Sequence, residues 1–356
     1  MTQHMIYPGQ EWLDTSGKPI QAHGGAVYFE DGYYYWYGEN KEFTDGISEV
    51  WTWGIKVYAS RDLCNWEDRG YLVPPVTEDP DSPLHPSKRV DRPHLLHCPE
   101  TDRYVLWLKL SGKDACFVIL SSEQLLGPYR MENLHLRPHG HEAGDFDLVQ
   151  DQDTGKGYLY VSIDHSDVVC YELTDDYQDI SREVSRQYCD LHSPFTREGI
   201  AVFSRGGQKY MLTSGMSGYL PNRSDSAVSA SWCEPFVSIG DPHINDDSHA
   251  SFNSQISKVF RVEGTDQYIA MADRWVPDYP INAQQADMIQ RAIAAHFDPQ
   301  QYHVLPDEKK ELMNSPMLKS ANTSRARYVW LPICWENGRP LLHWQDCWTL
   351  SNSLLK

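Results

Sequence analysis

The sequence predicts a five-bladed β-propeller, and three observations carry that prediction. An apolar run, a turn of Gly/Asp type and a tyrosine opening a second apolar run recur five times, which is the signature of a β-hairpin. The tyrosines after the turns are Tyr34, Tyr104, Tyr158, Tyr210 and Tyr268, separated by 70, 54, 52 and 58 residues, a period of about one small sheet. Long helical periodicity between the hairpins is missing, which removes a (β/α)8 barrel and leaves radially repeated sheets.

The blades follow in order. The first is AVYFEDGYYYWYGE from Ala26, with GIKVYAS from Gly54 as a further strand. HLLHCPETDRYVLWLK from His94 is followed by CFVILSS from Cys116, and DLVQDQDTGKGYLYVSI from Asp147 by DVVCYEL from Asp167. IAVFSRGGQKYMLTSG from Ile200 and QISKVFRVEGTDQYIAMADR from Gln255 complete the set, each unit supplying three or four antiparallel strands. Residues 276–326 interrupt the pattern: from Asn282, Met288, Ile289, Ile293 and Phe297 recur at helical spacing, followed by a polar stretch. A short helical insertion at the rim of the channel is expected there. The segment from Arg327, RYVWLPICWENGRPLLHWQDCWTL, reads as strands that close the ring by completing an earlier blade. One propeller domain is expected to span 1–356.

The chain has 356 residues, 40% of them hydrophobic and 23% charged, within the globular range. No apolar run approaches the ~20 residues needed to span a bilayer. The net charge of -19 disfavours nucleic acid and anionic membrane as partners. The start MTQHMIYPGQEW has neither the basic nor the apolar part of a secretory signal, so a cytoplasmic location is expected. Eight cysteines without a CxxC pair read as reduced, mostly buried thiols. His139 and His141 have no clear third ligand, so neither a metal nor another cofactor is expected. Nothing in the sequence sets an oligomeric state.

In a propeller the innermost strand of each blade begins beside the channel, so residues just upstream of each first strand converge on one pocket. Counting back 11 to 13 residues from the turn tyrosines gives His23, Asp91, Asp145, Glu198 and Gln255, all polar. Any one of them alone would be read as capping a strand end. Three carboxyl groups at matching offsets in one ring suit acid-catalysed glycoside cleavage, which needs two such groups flanking the bond.

With these residues in place, the chain resembles glycoside hydrolase family 43, and most closely its exo-β-1,3-galactanase branch. The resemblance covers most of the chain and is carried by AHGGAVYFEDGYYYWYGE from Ala22, GIKVYASRDLCNW from Gly54, VDRPHLLHCPETDRYVLWLK from Val90, TREGIAVFSRGGQKYMLTSGMSGYLPN from Thr196, FNSQ from Phe252, DRWVP from Asp273 and YVWLPI from Tyr328. It implies an inverting hydrolase in which Glu198 is the general acid and Asp145 the aspartate that tunes and orients it. The family's usual base aspartate would fall at His23 or Gly24, where this chain has no carboxylate, a gap the galactanase branch shares. In that branch a glutamate and a glutamine contact the sugar nearby, matched here by Asp91, one methylene shorter, and Gln255. Gln255 is therefore expected to hold the attacking water and Asp91 to grip a sugar hydroxyl and share in proton acceptance. Glu39, Ser217 and Gly218 match sugar-contacting positions, His23 and Asp273 flank them, and Tyr219 and Trp275 can stack on a pyranose face. Trp51 and Trp53 are weaker candidates for a subsite wall. The expected activity is release of galactose from β-1,3-linked galactan or galacto-oligosaccharides. The alternatives are an α-L-arabinofuranosidase or β-xylosidase on the same fold, and a non-catalytic carbohydrate-binding propeller.

Overall fold

The computed structural model describes residues 4–314 and 321–350. Its strands form five sheets, four of them four-stranded antiparallel blades and the last five-stranded. The innermost strands are His23–Glu30, Val90–Cys98, Ala143–Gln150, Arg197–Arg205 and Gln255–Arg261. Each packs against the innermost strands beside it, and the fifth packs back on the first, so the ring closes. The hairpin turns explain the recurring signature: Asp31 and Gly32 in blade one, and Gly206 and Gly207 in blade four, all have positive φ. Two such residues in succession are what a tight two-residue hairpin requires.

Two sequence-based expectations change. The segment from Arg327 does not complete an earlier blade. Its strands Arg327–Glu336 and Arg339–His343 extend the fifth sheet, which is finished by the short parallel strand His243–Ile244. The seam between blades five and one is closed by side chains instead. Trp12, Trp36, Trp66, Tyr328 and Trp330 form a buried cluster in which Trp36 lies 4.5 Å from Tyr328 and 4.7 Å from Trp330, ring centre to ring centre. Such aromatic pairs contribute about 0.5–1.5 kcal/mol each beyond the area they bury, and the bridge between Ile6 and Trp348 ties the chain ends across the same seam.

Among its described residues the insertion contains two α-helices where one is expected. Helix α1, Ala283–Phe297, starts at Asn282, whose side chain accepts from the Gln285 amide in a capping box. Met288 and Ile289 are buried, whereas Phe297 is 53% exposed and stacks on His192 instead of joining them. Helix α2, Pro306–Asn314, lies in the stretch that reads as merely polar; Pro306 opens it, Asp307 and Glu308 occupy its first turn, and only Leu312 is buried. Residues 315–320 of the predicted insertion lie outside the described residues. The cysteines also differ from expectation: Cys98, Cys116 and Cys170 are buried, while Cys189 and Cys347 are exposed.

Candidate active site

Every innermost strand carries one extra residue close to its start. Three residues separate His23 from Ala26, Asp91 from His94, Ala143 from Phe146 and Glu198 from Ala201, while their partners on the second strand are two apart, and the fifth strand slips by one residue between Ile256 and Lys258. These are β-bulges, which bend a strand and re-aim its side chains. Gly24, Arg92 and Gly199 occupy the bulges of blades one, two and four with φ of 58°, 50° and 59°. The bulges gather side chains around a cavity of about 210 Å³ lined by Glu39, Asp91, Arg92, Lys109, Asp145, Glu198, Gly218, Tyr219, Gln255 and Trp275, together with Trp51, Arg89 and Ser111.

Asp145 is the fixed negative charge of this pocket. Lys109 Nζ lies 2.5 Å from its Oδ1, Arg92 Nη2 3.0 Å from its Oδ2, and the Gly199 amide donates to it at 3.1 Å. Burial pushes its proton affinity up, but the two cations and the amide outweigh that and hold the carboxyl well below the usual carboxylate range. Glu198 responds in the opposite direction. Burial, and then the Asp145 charge, push it up to about 8, against the opposing pull of Lys109 and Arg92. Neighbouring carboxyl groups with affinities driven apart are the mark of an acid kept protonated beside a permanent anion.

Gln255 lines the pocket, and its amide is held by protein groups. Its Nε2 donates to Glu198 Oε1 at 2.9 Å and to Ser214 Oγ at 3.3 Å, while its Oε1 accepts from Arg92 Nη2 at 2.7 Å and Trp275 Nε1 at 3.0 Å. Both donors and both lone pairs are engaged by protein, so the amide acts as a clamp on Glu198. Asp91 accepts from Trp51 Nε1 at 2.6 Å and Ser111 Oγ at 2.5 Å and keeps lone pairs for a ligand. Glu39, 2% exposed, pairs with Lys41 Nζ at 2.7 Å and accepts from the Arg92 amide at 2.9 Å; burial dominates and raises it to about 7.

Other predicted contacts divide. Gly218, Tyr219 and Trp275 line the pocket. Tyr219 stands 5.4 Å from Trp275 and 6.0 Å from Trp51, a continuous aromatic wall. Ser217 lines the larger outer cavity of about 870 Å³ that continues past Trp51, Arg89 and Tyr219; its amide supports Glu198. His23 and Asp273 are a correction, since they are 1% and 3% exposed and engage each other at 2.9 Å behind the pocket. Asp273 also accepts from the Gly24 amide at 3.0 Å, so the pair fixes the first bulge and lies outside the pocket lining. Trp53 packs on Phe43 and is outside both cavities. Sequence reasoning missed Arg92 and Lys109. Lys109 was findable as the cross-strand partner of Asp91, whereas Arg92 occupies the bulge beside it. Among the described residues no cluster of three or more His, Cys, Asp or Glu is placed to hold a metal.

Comparison with known proteins places this arrangement. No curated protein matches the chain. A solved family 43 β-1,3-galactosidase superposes with a TM-score of 0.78 at 27% identity, covering 99% of this chain and 66% of that one; the chain thus spans about two thirds of that protein. An exo-β-1,3-galactanase variant from Phanerochaete chrysosporium in complex with β-1,3-galactotriose gives 0.77 at 21% identity, covering 98% and 69%. An exo-β-1,3-galactanase from Clostridium thermocellum gives 0.74 at 24%, covering 97% and 66%; these last two support the fold alone. The sequence pattern of the glycosyl hydrolases family 43 matches residues 24–271, well over half of the chain, and this protein therefore belongs to glycoside hydrolase family 43.

Proposed function

We propose that this family 43 hydrolase is an inverting exo-enzyme that releases terminal galactose from β-1,3-linked galactan or galacto-oligosaccharides. The observation that carries the reading is the pairing of Glu198, raised to about 8, with the cation-held Asp145 at the base of a pocket of about 210 Å³. A pocket of that size suits one monosaccharide, and the adjoining cavity of about 870 Å³ offers room for the rest of a chain, the layout of an enzyme that works from the end. Glu198 protonates the departing oxygen, Asp145 keeps that proton on Glu198 until it is needed, and Asp91 holds a sugar hydroxyl. The galactose assignment is supported by the β-1,3-galactosidase named above, at 27% identity.

The test is a panel of aryl glycosides beside β-1,3-galactobiose, with proton NMR of the first-formed sugar. α-Galactose appearing first is the expected result. Faster release of arabinose or xylose would move the enzyme to another glycone, and release of no sugar would favour a binding propeller.

Asp145→Asn gives a second prediction. Removing the negative neighbour while leaving Lys109 and Arg92 in place lowers the proton affinity of Glu198, so the alkaline limb of kcat/KM moves to lower pH. The rate falls more than binding does. An unchanged pH profile at full activity would remove Asp145 from the site.

A further inference from the structure

We propose that Glu39 accepts the proton of the attacking water, an assignment that rests on the inverting-hydrolase reading above. Inversion puts the acid and the proton acceptor on opposite faces of the sugar, with the water between acceptor and anomeric carbon. Glu198 belongs to blade four, so the acceptor cannot come from its neighbours in the ring. Asp145 on blade three and Gln255 on blade five are those neighbours, and both are spent: the first on two cations, the second on four hydrogen bonds, one of them to Glu198 itself. Blades one and two lie across the ring, and the carboxyl groups they bring to the pocket are Glu39 and Asp91.

The local structure separates these two. A Cβ on Gly24 would clash with Glu39 Oε1, so the chain leaves residue 24 without a side chain at the spot that the Glu39 carboxyl fills. Glu39 is the more enclosed of the pair, its side chain 3% exposed against 15% for Asp91. Its enclosure outweighs the single ion pair with Lys41 at 2.7 Å and keeps the affinity for a proton high, which suits an acceptor working near neutrality. Asp91 is tied through Trp51 to the wall that continues into the outer cavity, the place for a hydroxyl-binding group.

The step balances within the pocket. The water oxygen bonds to the anomeric carbon as the glycosidic C–O bond breaks, and the bonding pair leaves with the departing oxygen. That oxygen takes the Glu198 proton, and one water proton passes to Glu39. Solvent exchange then returns Glu198 to its protonated form and Glu39 to its ionised form.

The experiment compares Glu39→Ala, Glu39→Gln, Asp91→Ala and Gln255→Ala on β-1,3-galactobiose, with and without sodium azide. Both Glu39 variants are expected to lose about 10²–10⁴-fold in kcat, and Glu39→Ala with azide to yield α-galactosyl azide. Asp91→Ala is expected to raise KM and give no azide product. Glu39→Gln keeps an oxygen for the Arg92 amide and guards against a folding defect, with galactose binding as the check. The proposal is overturned if Glu39→Gln retains more than about a tenth of the kcat, if the azide product forms with Asp91→Ala or Gln255→Ala instead, or if a folded Glu39→Ala forms none. Failure of the underlying reading looks different: wild-type enzyme would release β-galactose first, or no sugar.

Discussion

Glu198→Gln is expected to lower kcat on β-1,3-galactobiose by about 10²–10⁴-fold, the usual worth of a general acid, while galactose binding and the melting temperature stay close to wild type. The substitution is nearly isosteric. Its amide oxygen can still accept from Gln255 Nε2, which donates to Glu198 at 2.9 Å, so the clamp persists and only the transferable proton is lost. The leaving group provides the internal control. A galactose alcohol departs poorly without protonation, whereas a nitrophenolate departs readily, so the loss on nitrophenyl β-galactoside should be many times smaller than on the disaccharide. Equal losses on the two substrates would mean that the variant damages the pocket rather than the acid.

Glu198 and Asp145 were legible because a propeller converts sequence offset into spatial convergence. Each lies 12 or 13 residues before a turn tyrosine, and the bulges bring both to one rim. The same offset misled at His23, which satisfies the count but turns inward to Asp273 and Tyr328. Counting gives the residue's height along the strand and not the direction of its side chain, and the bulge decides the direction. Arg92 stayed hidden because arginine is an unexpected occupant of a left-handed position. The outermost strands were also weakly marked. Arg130–Leu136, for example, is exposed along most of its length and lacks the apolar alternation that betrays a strand. The seam closure by tryptophans depends on contacts between the two ends of the chain, which no local pattern encodes.

Arg92→Met is expected to produce the largest stability change among pocket substitutions, together with a pH shift opposite in sign to that of Asp145→Asn. The guanidinium is buried and joins three blades, reaching Asp145 Oδ2 at 3.0 Å, Gln255 Oε1 at 2.7 Å and the Ile256 carbonyl at 2.9 Å. Removing one member of a buried ion pair typically costs about 3–5 kcal/mol because the remaining charge is stranded. Lys109 stays on Asp145, which places the loss near the lower end, about 3 kcal/mol. With an unfolding entropy of about 2.1 cal/mol/K per residue, that corresponds to a fall of roughly 4 °C in Tm for a chain of 356 residues. Arg92 also lowers the proton affinity of Glu198, so its loss moves the alkaline limb of kcat/KM to higher pH. Methionine keeps the length and the strained φ of 50°, and the comparison therefore isolates the guanidinium. Arg92→Gly removes that strain, the conformation Gly24 and Gly199 adopt in their own bulges, and should recover about 1 kcal/mol relative to methionine without restoring the pH profile. A limb that moves the same way in Asp145→Asn and Arg92→Met would show that the two residues do not act on Glu198 through their charges.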